Sequence, residues 1–328
     1  MSENPACGIL CLTEEGVGEN MKVDIIIPVY RPTKRLFELL DRLKKQTVQI
    51  QKIFLVNTEQ KYFDLLISGT NFWRMYPNVE VTHISKREFD HGGTRRRAVT
   101  HTDSPYFVMM TDDALPADDM LLENLLKPLT EKKAQVSYAR QLPDEDCGVI
   151  ERFTRDFNYP AESRIKSAED IETMGIKAFF ASNVCAAYDR ETYNEVGGFV
   201  KKTIFNEDMI LAKSILDAGY KIAYCADAKV IHSHNYSGIQ QFRRNFDLGV
   251  SHAKYPEVFG GVKSESEGIR LVKQTCNHLC AIKKPWLIVK LFWQSGCKYL
   301  GYFFGKRYTS LPDKWVKKCS MNKEFWEQ

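Results

Sequence analysis

Two patterns of apolar residues alternate along the first 240 positions: short β-branched runs that stop at a polar residue, and stretches whose leucines recur every three or four positions. The first run, Val23-Asp-Ile-Ile-Ile-Pro-Val-Tyr30, halts at Arg31-Pro32 and predicts a buried strand ending in a turn. Thr33 is placed to cap a helix with Leu36, Leu39, Leu40 and Leu43 on one face. Further strands are expected at Lys52–Asn57, Val79–Ile84, the run from Tyr106 to Met110, and Ala134–Tyr138. Strands alternating with helical stretches predict an α/β fold with a doubly wound, mostly parallel sheet. Its ligand edge would carry Tyr30, Asn57, residues 87–97 and Asp113.

The second half of this region is less regular. Residues 140–148 and 151–167 are turn-rich or contain Pro160, and are expected to be surface loops, the latter over the site. Strand character resumes over Ala178–Tyr188, with polar Ser182-Asn183 breaking its centre. Asn206 is expected to cap a helix that opens on Glu207-Asp208 and buries Leu211, Ile215 and Leu216. A short strand pair, Lys221–Cys225 and Lys229–Ile231, then ends at His232-Ser-His234. Residues 1–20 lack periodicity and read as a flexible tail, followed by a sheet domain over 21–240 and a helical C-terminal region over 241–328.

Composition narrows the class. A chain of 328 residues with 44% hydrophobic residues fills a sizeable core, and its net charge of +4 is too small for a nucleic-acid partner. Nine cysteines without CxxC spacing favour reduced thiols and a cytoplasmic setting. Cys276 and Cys280 flank His278, but no further ligand pair lies nearby, so a structural or solvated face is the expectation. Glu3, Glu14 and Glu15 interrupt the apolar patch at residues 9–12, which argues against a signal peptide. No run approaches the ~18 apolar residues that span a bilayer, so the chain is expected to be soluble or to lie on a membrane.

The candidate chemistry sits at the expected ligand edge. Asp112 and Asp113, thrust out together after a buried strand, are costly as like charges unless a cation or donor-rich ligand lies between them. Gly92 and Gly93 would let backbone N–H groups approach a ligand. Thr94 would cap the next helix, and Arg95, Arg96 and Arg97 would bring positive charge to its first turn, which calls for an anion such as a diphosphate. One or two of the three arginines are expected to reach it, because neighbouring helical residues point different ways. Tyr30 can stack on a base, and Asp113 with a histidine can hold a divalent ion. Glu207 or Asp208 is left as a general base. Together these groups suit displacement at a carbon bearing a nucleoside-diphosphate leaving group.

In order, Ile27-Pro28-Val29-Tyr30, His91-Gly-Gly-Thr-Arg95, Thr111-Asp-Asp-Ala-Leu-Pro116, Gly197-Gly-Phe199, Asn206-Glu-Asp208 and Val230-Ile-His-Ser-His234 resemble the motifs of family-two glycosyltransferases with the GT-A fold. They look most like the rhamnosyltransferases of bacterial surface-polysaccharide synthesis. The resemblance implies inverting transfer of L-rhamnose from dTDP-β-L-rhamnose to a hydroxyl of a lipid-linked glycan. It implies donor contacts from Pro28, Tyr30, Arg31, Asn57, Gly92, Gly93, Arg95, Asp112 and Asp113. A Mg2+ or Mn2+ ion would be held by Asp113 with His232 or His234, and Asp208 would be the base beside Glu207. Thr111 stands where the family's D-x-D pattern begins with an acid, which weakens the metal expectation. Competing readings are a nucleotidyltransferase, disfavoured by the lack of glycine in Pro28-Val-Tyr-Arg-Pro32, and a glycan-binding scaffold, which leaves Asp208 and the histidines without a role.

Beyond Gln240, aromatics interleave with lysines, notably over Lys283–Trp293 and Lys298–Arg307. Such helices suit the inner face of the cytoplasmic membrane, packing onto the sheet domain, or an interface with a second copy of the chain.

Overall fold

The computed structural model describes residues 22–261 and 265–327, so the expected tail over residues 1–20 lies outside the described residues. Among the described residues nine strands form one sheet: β1 (Val23–Tyr30), β2 (Ile50–Thr58), β3 (Val79–Ile84), β4 (Tyr106–Met110), β5 (Leu115–Pro116), β6 (Val136–Leu142), β7 (Arg164–Lys166), β8 (Cys185–Asp189) and β9 (Ile222–Ile231). Their order is β3-β2-β1-β4-β8-β6-β9-β5, with β7 beside β9. Strands β1 to β4 pair in parallel, as do β6 and β9, whereas β8 runs antiparallel to both β4 and β6. The sheet is mostly parallel, as expected, with antiparallel β5, β7 and β8 inserted.

Helices cover both faces. The helices within the first half are α1 (Arg35–Leu43), α2 (Gln60–Ile67), α3 (Phe72–Met75), α4 (His91–Val99) and α5 (Leu121–Thr130). They are followed by α6 (Val149–Asn158), α7 (Asp170–Met174), α8 (Arg190–Glu195) and α9 (Glu207–Asp217). One core lies between the sheet and the leucines of α1 and α5; the other joins Ile26, Phe107 and Tyr188 to Leu211, Ile215 and Leu216 of α9. Interior residues of β1 and β4 are almost wholly buried because parallel strands are covered on both sides.

The C-terminal region comprises α10 (Gly238–Lys254), α11 (Pro256–Phe259), α12 (Glu265–Ala281), α13 (Leu287–Gly305) and α14 (Asp313–Cys319). The boundary placed at residue 240 falls inside α10, which starts on a Ser237 capping box with Gln240. This region is not detached, since Phe246, Val250, Val316 and Phe325 share a core with Ile204.

Several local expectations are corrected. Residues 149–158 form α6 rather than a loop, and β6 runs on to Leu142, which turns Arg140 and Gln141 into strand residues. Only Cys185–Asp189 of the run from Ala178 is strand, because Asn183 leaves the sheet to meet α9 and Ser182 accepts from Gln141 Nε2. The strand pair near residue 225 is a single strand, β9, with a bulge: Ala139 pairs with Cys225, and the next residue, Arg140, with Lys229. Thr33 lies just ahead of α1, accepting from Arg35 N–H at 3.3 Å, while Lys34 occupies the cap position.

Candidate active site

Parallel strands deliver their C-terminal ends to one edge, and the inserted antiparallel strand delivers its opposite end there. Thus β4 brings Thr111, Asp112 and Asp113, β6 brings Gln141, β9 brings His232 and His234, and the start of β8 brings Ser182 and Asn183. These residues, with Glu207 and Asp208 of α9, line one cleft of about 1190 Å3.

The two-residue strand β5 fixes the first cluster. Leu115 pairs with Ile231 and Pro116 with Val230, so the turn carrying Asp113 is held against the end of β9. His232 Nε2 then lies 3.4 Å from Asp113 Oδ1, and His234 Nε2 lies 3.3 Å from Asp113 Oδ2. One donor atom from each of the three residues lies within 4.8 Å of the others. His232 Nδ1 is 3.1 Å from Gln141 Oε1, a contact that fixes the ring with Nε2 facing the cluster. Burial, with His232 adding to it, pushes His234 down to about 4, which keeps its imidazole neutral near pH 7. Burial alone would raise the Asp113 carboxyl, but hydrogen bonding and charge from His232 hold it below the usual carboxylate range. An anionic oxygen beside two imidazoles is a fitting donor set for a divalent cation.

Asp112, next along the chain, behaves oppositely. Burial and then the Asp113 charge push it up to about 7, although the Tyr30 backbone N–H hydrogen-bonds it. That contact sets the end of β1 beside the cluster. At this rim the exposed Tyr30 ring meets Tyr62 edge-on at 6.0 Å, and the Arg31 guanidinium lies 5.2 Å and 5.0 Å from their centroids.

The second cluster is built on the first turn of α9. Asn206 occupies the cap position in the left-handed conformation, φ 64°, and makes no side-chain cap hydrogen bond, contrary to the capping expected of it. The acids that follow are buried and differently held. Glu207 pairs with Arg95 Nε at 3.2 Å and accepts from Asn183 Nδ2 at 3.0 Å. Burial raises its carboxyl, but Arg95 and then His91 outweigh that and hold it low. Asp208 has no such cation. Its carboxylate accepts from the Asn183 and Met209 backbone N–H groups at 3.0 Å and 2.8 Å, yet burial and the Glu207 charge push it up to about 7. Adjacent carboxylates driven apart in this way divide into a permanent anion and a titrating base.

The glycine-arginine segment needs correction. Asp90, not Thr94, caps α4, accepting from Gly93 N–H at 2.6 Å, so the arginines lie beyond the first turn and need no anion there on dipole grounds. Gly92 and Gly93 are buried against the backbone of Val200 and Lys201, where a Cβ would clash, so close packing accounts for both glycines, and neither lines the cleft. Arg96 donates to the carbonyls of Gly197 and Phe199, and Arg97 to that of Glu88. Among the three, Arg95 alone lines the cleft, and its anion is Glu207. Asn57 does not line the cleft: it is fully buried, with Nδ2 3.0 Å from His83 Nδ1. Pro28 is half-buried within β1.

Asn183 and Gln141 were not singled out from sequence for the site. Asn183 holds both acids and accepts from the Tyr188 hydroxyl at 2.7 Å. The one signal for it was a polar pair inside an otherwise apolar run.

A mostly parallel sheet with an inserted antiparallel strand, an acid-histidine cluster and a buried base on one edge define a glycosyltransferase of the GT-A fold. The model of the family described as glycosyl transferase family 2 matches residues 24–197, and the chain belongs to that family. It is 37% identical over 310 residues to the O-antigen chain rhamnosyltransferase RfbN of Salmonella typhimurium, covering 93% of this chain and 96% of that protein. It is 38% identical over 307 residues to the O-antigen chain rhamnosyltransferase WbaN of Salmonella anatum, covering 92% and 95%. Among solved structures, a mannosyltransferase from Pyrobaculum calidifontis in complex with GDP-Man and Mn2+ superposes with a TM-score of 0.52. It is 16% identical and covers 93% of this chain and 84% of that one.

Proposed function

We propose that the protein is an inverting rhamnosyltransferase of O-antigen synthesis, transferring L-rhamnose from dTDP-β-L-rhamnose to a hydroxyl of a lipid-linked glycan. The observation that carries this reading is that the buried Asp208 carboxyl and the Asp113–His232–His234 cluster open on one cleft, in a chain similar over nearly its whole length to two O-antigen rhamnosyltransferases.

Asp208 takes the proton of the acceptor hydroxyl as that oxygen bonds to the anomeric carbon and the carbon–oxygen bond to the nucleoside diphosphate breaks. A carboxyl pushed up to about 7 is a competent acceptor near neutral pH, and Glu207, held anionic by Arg95, keeps it there. Asp113, His232 and His234 would hold a divalent ion, whose charge offsets that of the departing diphosphate. Two imidazoles beside one carboxylate favour Mn2+ over the harder Mg2+. Tyr30 and Arg31, on the rim beside Asp112, would receive the nucleobase.

The exposed aromatic face of α13 supports a location at the inner face of the cytoplasmic membrane. Its outward face carries Val289, Phe292, Trp293 and Tyr299, each more than half exposed, among Lys283, Lys284, Lys290, Lys306 and Arg307. No helix among the described residues is long and apolar enough to cross a membrane. The deciding experiment measures transfer and donor binding with dTDP-rhamnose, UDP-sugars and GDP-mannose, each with Mn2+ and with EDTA. Stabilisation and turnover with dTDP-rhamnose and Mn2+ alone are expected. Equal donor affinity in EDTA, or preference for another donor, refutes the metal or the donor assignment respectively.

A further inference from the structure

The wall of the cleft opposite the sheet carries charge that the chemistry above does not use. Arg155 of α6, Arg244 of α10 and Lys298 of α13 all line it. Arg155 Nε is paired with Glu151 at 2.9 Å, and its guanidinium also donates to Gln141 Oε1. Arg244 has ring contacts, with its guanidinium 4.6 Å from the Phe205 centroid and 5.9 Å from that of Tyr236. Among the described residues neither Arg244 nor Lys298 makes a salt bridge, and the carboxylate that bears on Lys298, Glu151, is the one already held by Arg155. Burial, then the like charges of Arg244 and Arg155 against the pull of Glu151, leave the lysine amine below its ordinary range. Cations gathered in a half-enclosed cleft with one shared carboxylate are costly unless an anion arrives.

The anion can be narrowed by position. Lys298 lies on α13, whose opposite face is the exposed aromatic surface, so its amine points into the cleft from the element proposed to rest on lipid. We propose that Arg155, Arg244 and Lys298 form a second diphosphate site, beside the acid-histidine cluster, that receives the diphosphate joining the acceptor glycan to its lipid. This rests on the glycosyltransferase reading above. Guanidinium and ammonium groups on three different helices converge as a phosphate pair requires, and arrival of the ligand would tie α13 to the catalytic cleft.

Farnesyl diphosphate, titrated into the full chain in EDTA without any sugar donor, isolates this site from the metal cluster. Wild type is expected to bind it, Lys298→Met to bind at least about tenfold more weakly, and Lys298→Arg to recover most of the loss. In transfer assays Lys298→Met should raise KM for a diphosphate-linked acceptor about tenfold. KM for the donor, and for the same glycan on an uncharged octyl group, should stay within about twofold. Equal farnesyl diphosphate binding by wild type and Lys298→Met overturns the proposal, as does a rise in donor KM in place of acceptor KM. Arg244→Gln, which leaves α13 untouched, gives the same reading if Lys298→Met does not fold. The binding arm needs no sugar transfer, so failure to transfer rhamnose would refute the proposed function and leave this site standing.

Discussion

At the scale of single residues, the start of α9 shows how two adjacent acids acquire different jobs from their neighbours. Glu207 has Arg95, and Asp208 has only two backbone N–H groups, so burial raises Asp208 to about 7 while Glu207 stays ionised. A base works in its deprotonated form, so transfer should fall as pH drops through about 7, and Asp208→Asn should lower kcat by about 10²- to 10⁴-fold. Donor binding, measured calorimetrically, should survive that substitution; near-wild-type turnover by the folded variant would remove Asp208 from the role. Arg95→Met should cost about 3–5 kcal/mol by stranding Glu207 as an uncompensated buried charge. Urea unfolding checks this, and adding Glu207→Gln to Arg95→Met should recover much of the loss.

At the scale of elements, α10 and α13 cross at contact distance because glycines remove the side chains between them. A Cβ on Gly301 would run into Phe242 O, one on Gly305 into Phe246 O, and one on Gly249 into Tyr302 O. Gly296, on the same helix, has open space around it. Gly301→Leu should therefore lower stability by at least about 1–3 kcal/mol through overpacking. Gly296→Ala should be neutral or stabilising by up to about 1 kcal/mol through helix propensity. Equal melting temperatures for the two variants would show that the crossing yields freely.

At the scale of the whole molecule, α13 has two faces with different partners. Leu291, Gly301 and Gly305 are buried towards α10, while Val289 and Trp293 are 76% and 65% exposed. Deleting the chain from residue 283 would strip a packed helix from α10, so substitution is the cleaner test of membrane docking. Replacing Phe292, Trp293 and Tyr299 with serine should abolish flotation with anionic liposomes and slow transfer to a lipid-linked acceptor, while transfer to a short soluble acceptor continues. Liposome binding unchanged by these substitutions, or a dimer in wild type that the triple variant loses, would reassign this face.

Local order told the sequence most of what the strands are. The runs ending at Tyr30 and Met110 are legible because a strand covered on both faces must be apolar throughout, and the leucines of α1 because one helix face meets that sheet. The ordered motifs likewise pointed to Asp113, Asp208 and the two histidines, which the fold brings to one cleft. Burial and pairing decided the rest. The glycines at 92 and 93, and Asn57, have the residue types of a ligand loop, but contacts with Val200, Lys201 and His83, distant in sequence, turn them inward. Asn183 becomes the residue that holds both acids because β8 runs against its neighbours and opens at the ligand edge, and strand direction is a property of the sheet that no stretch of residues encodes alone.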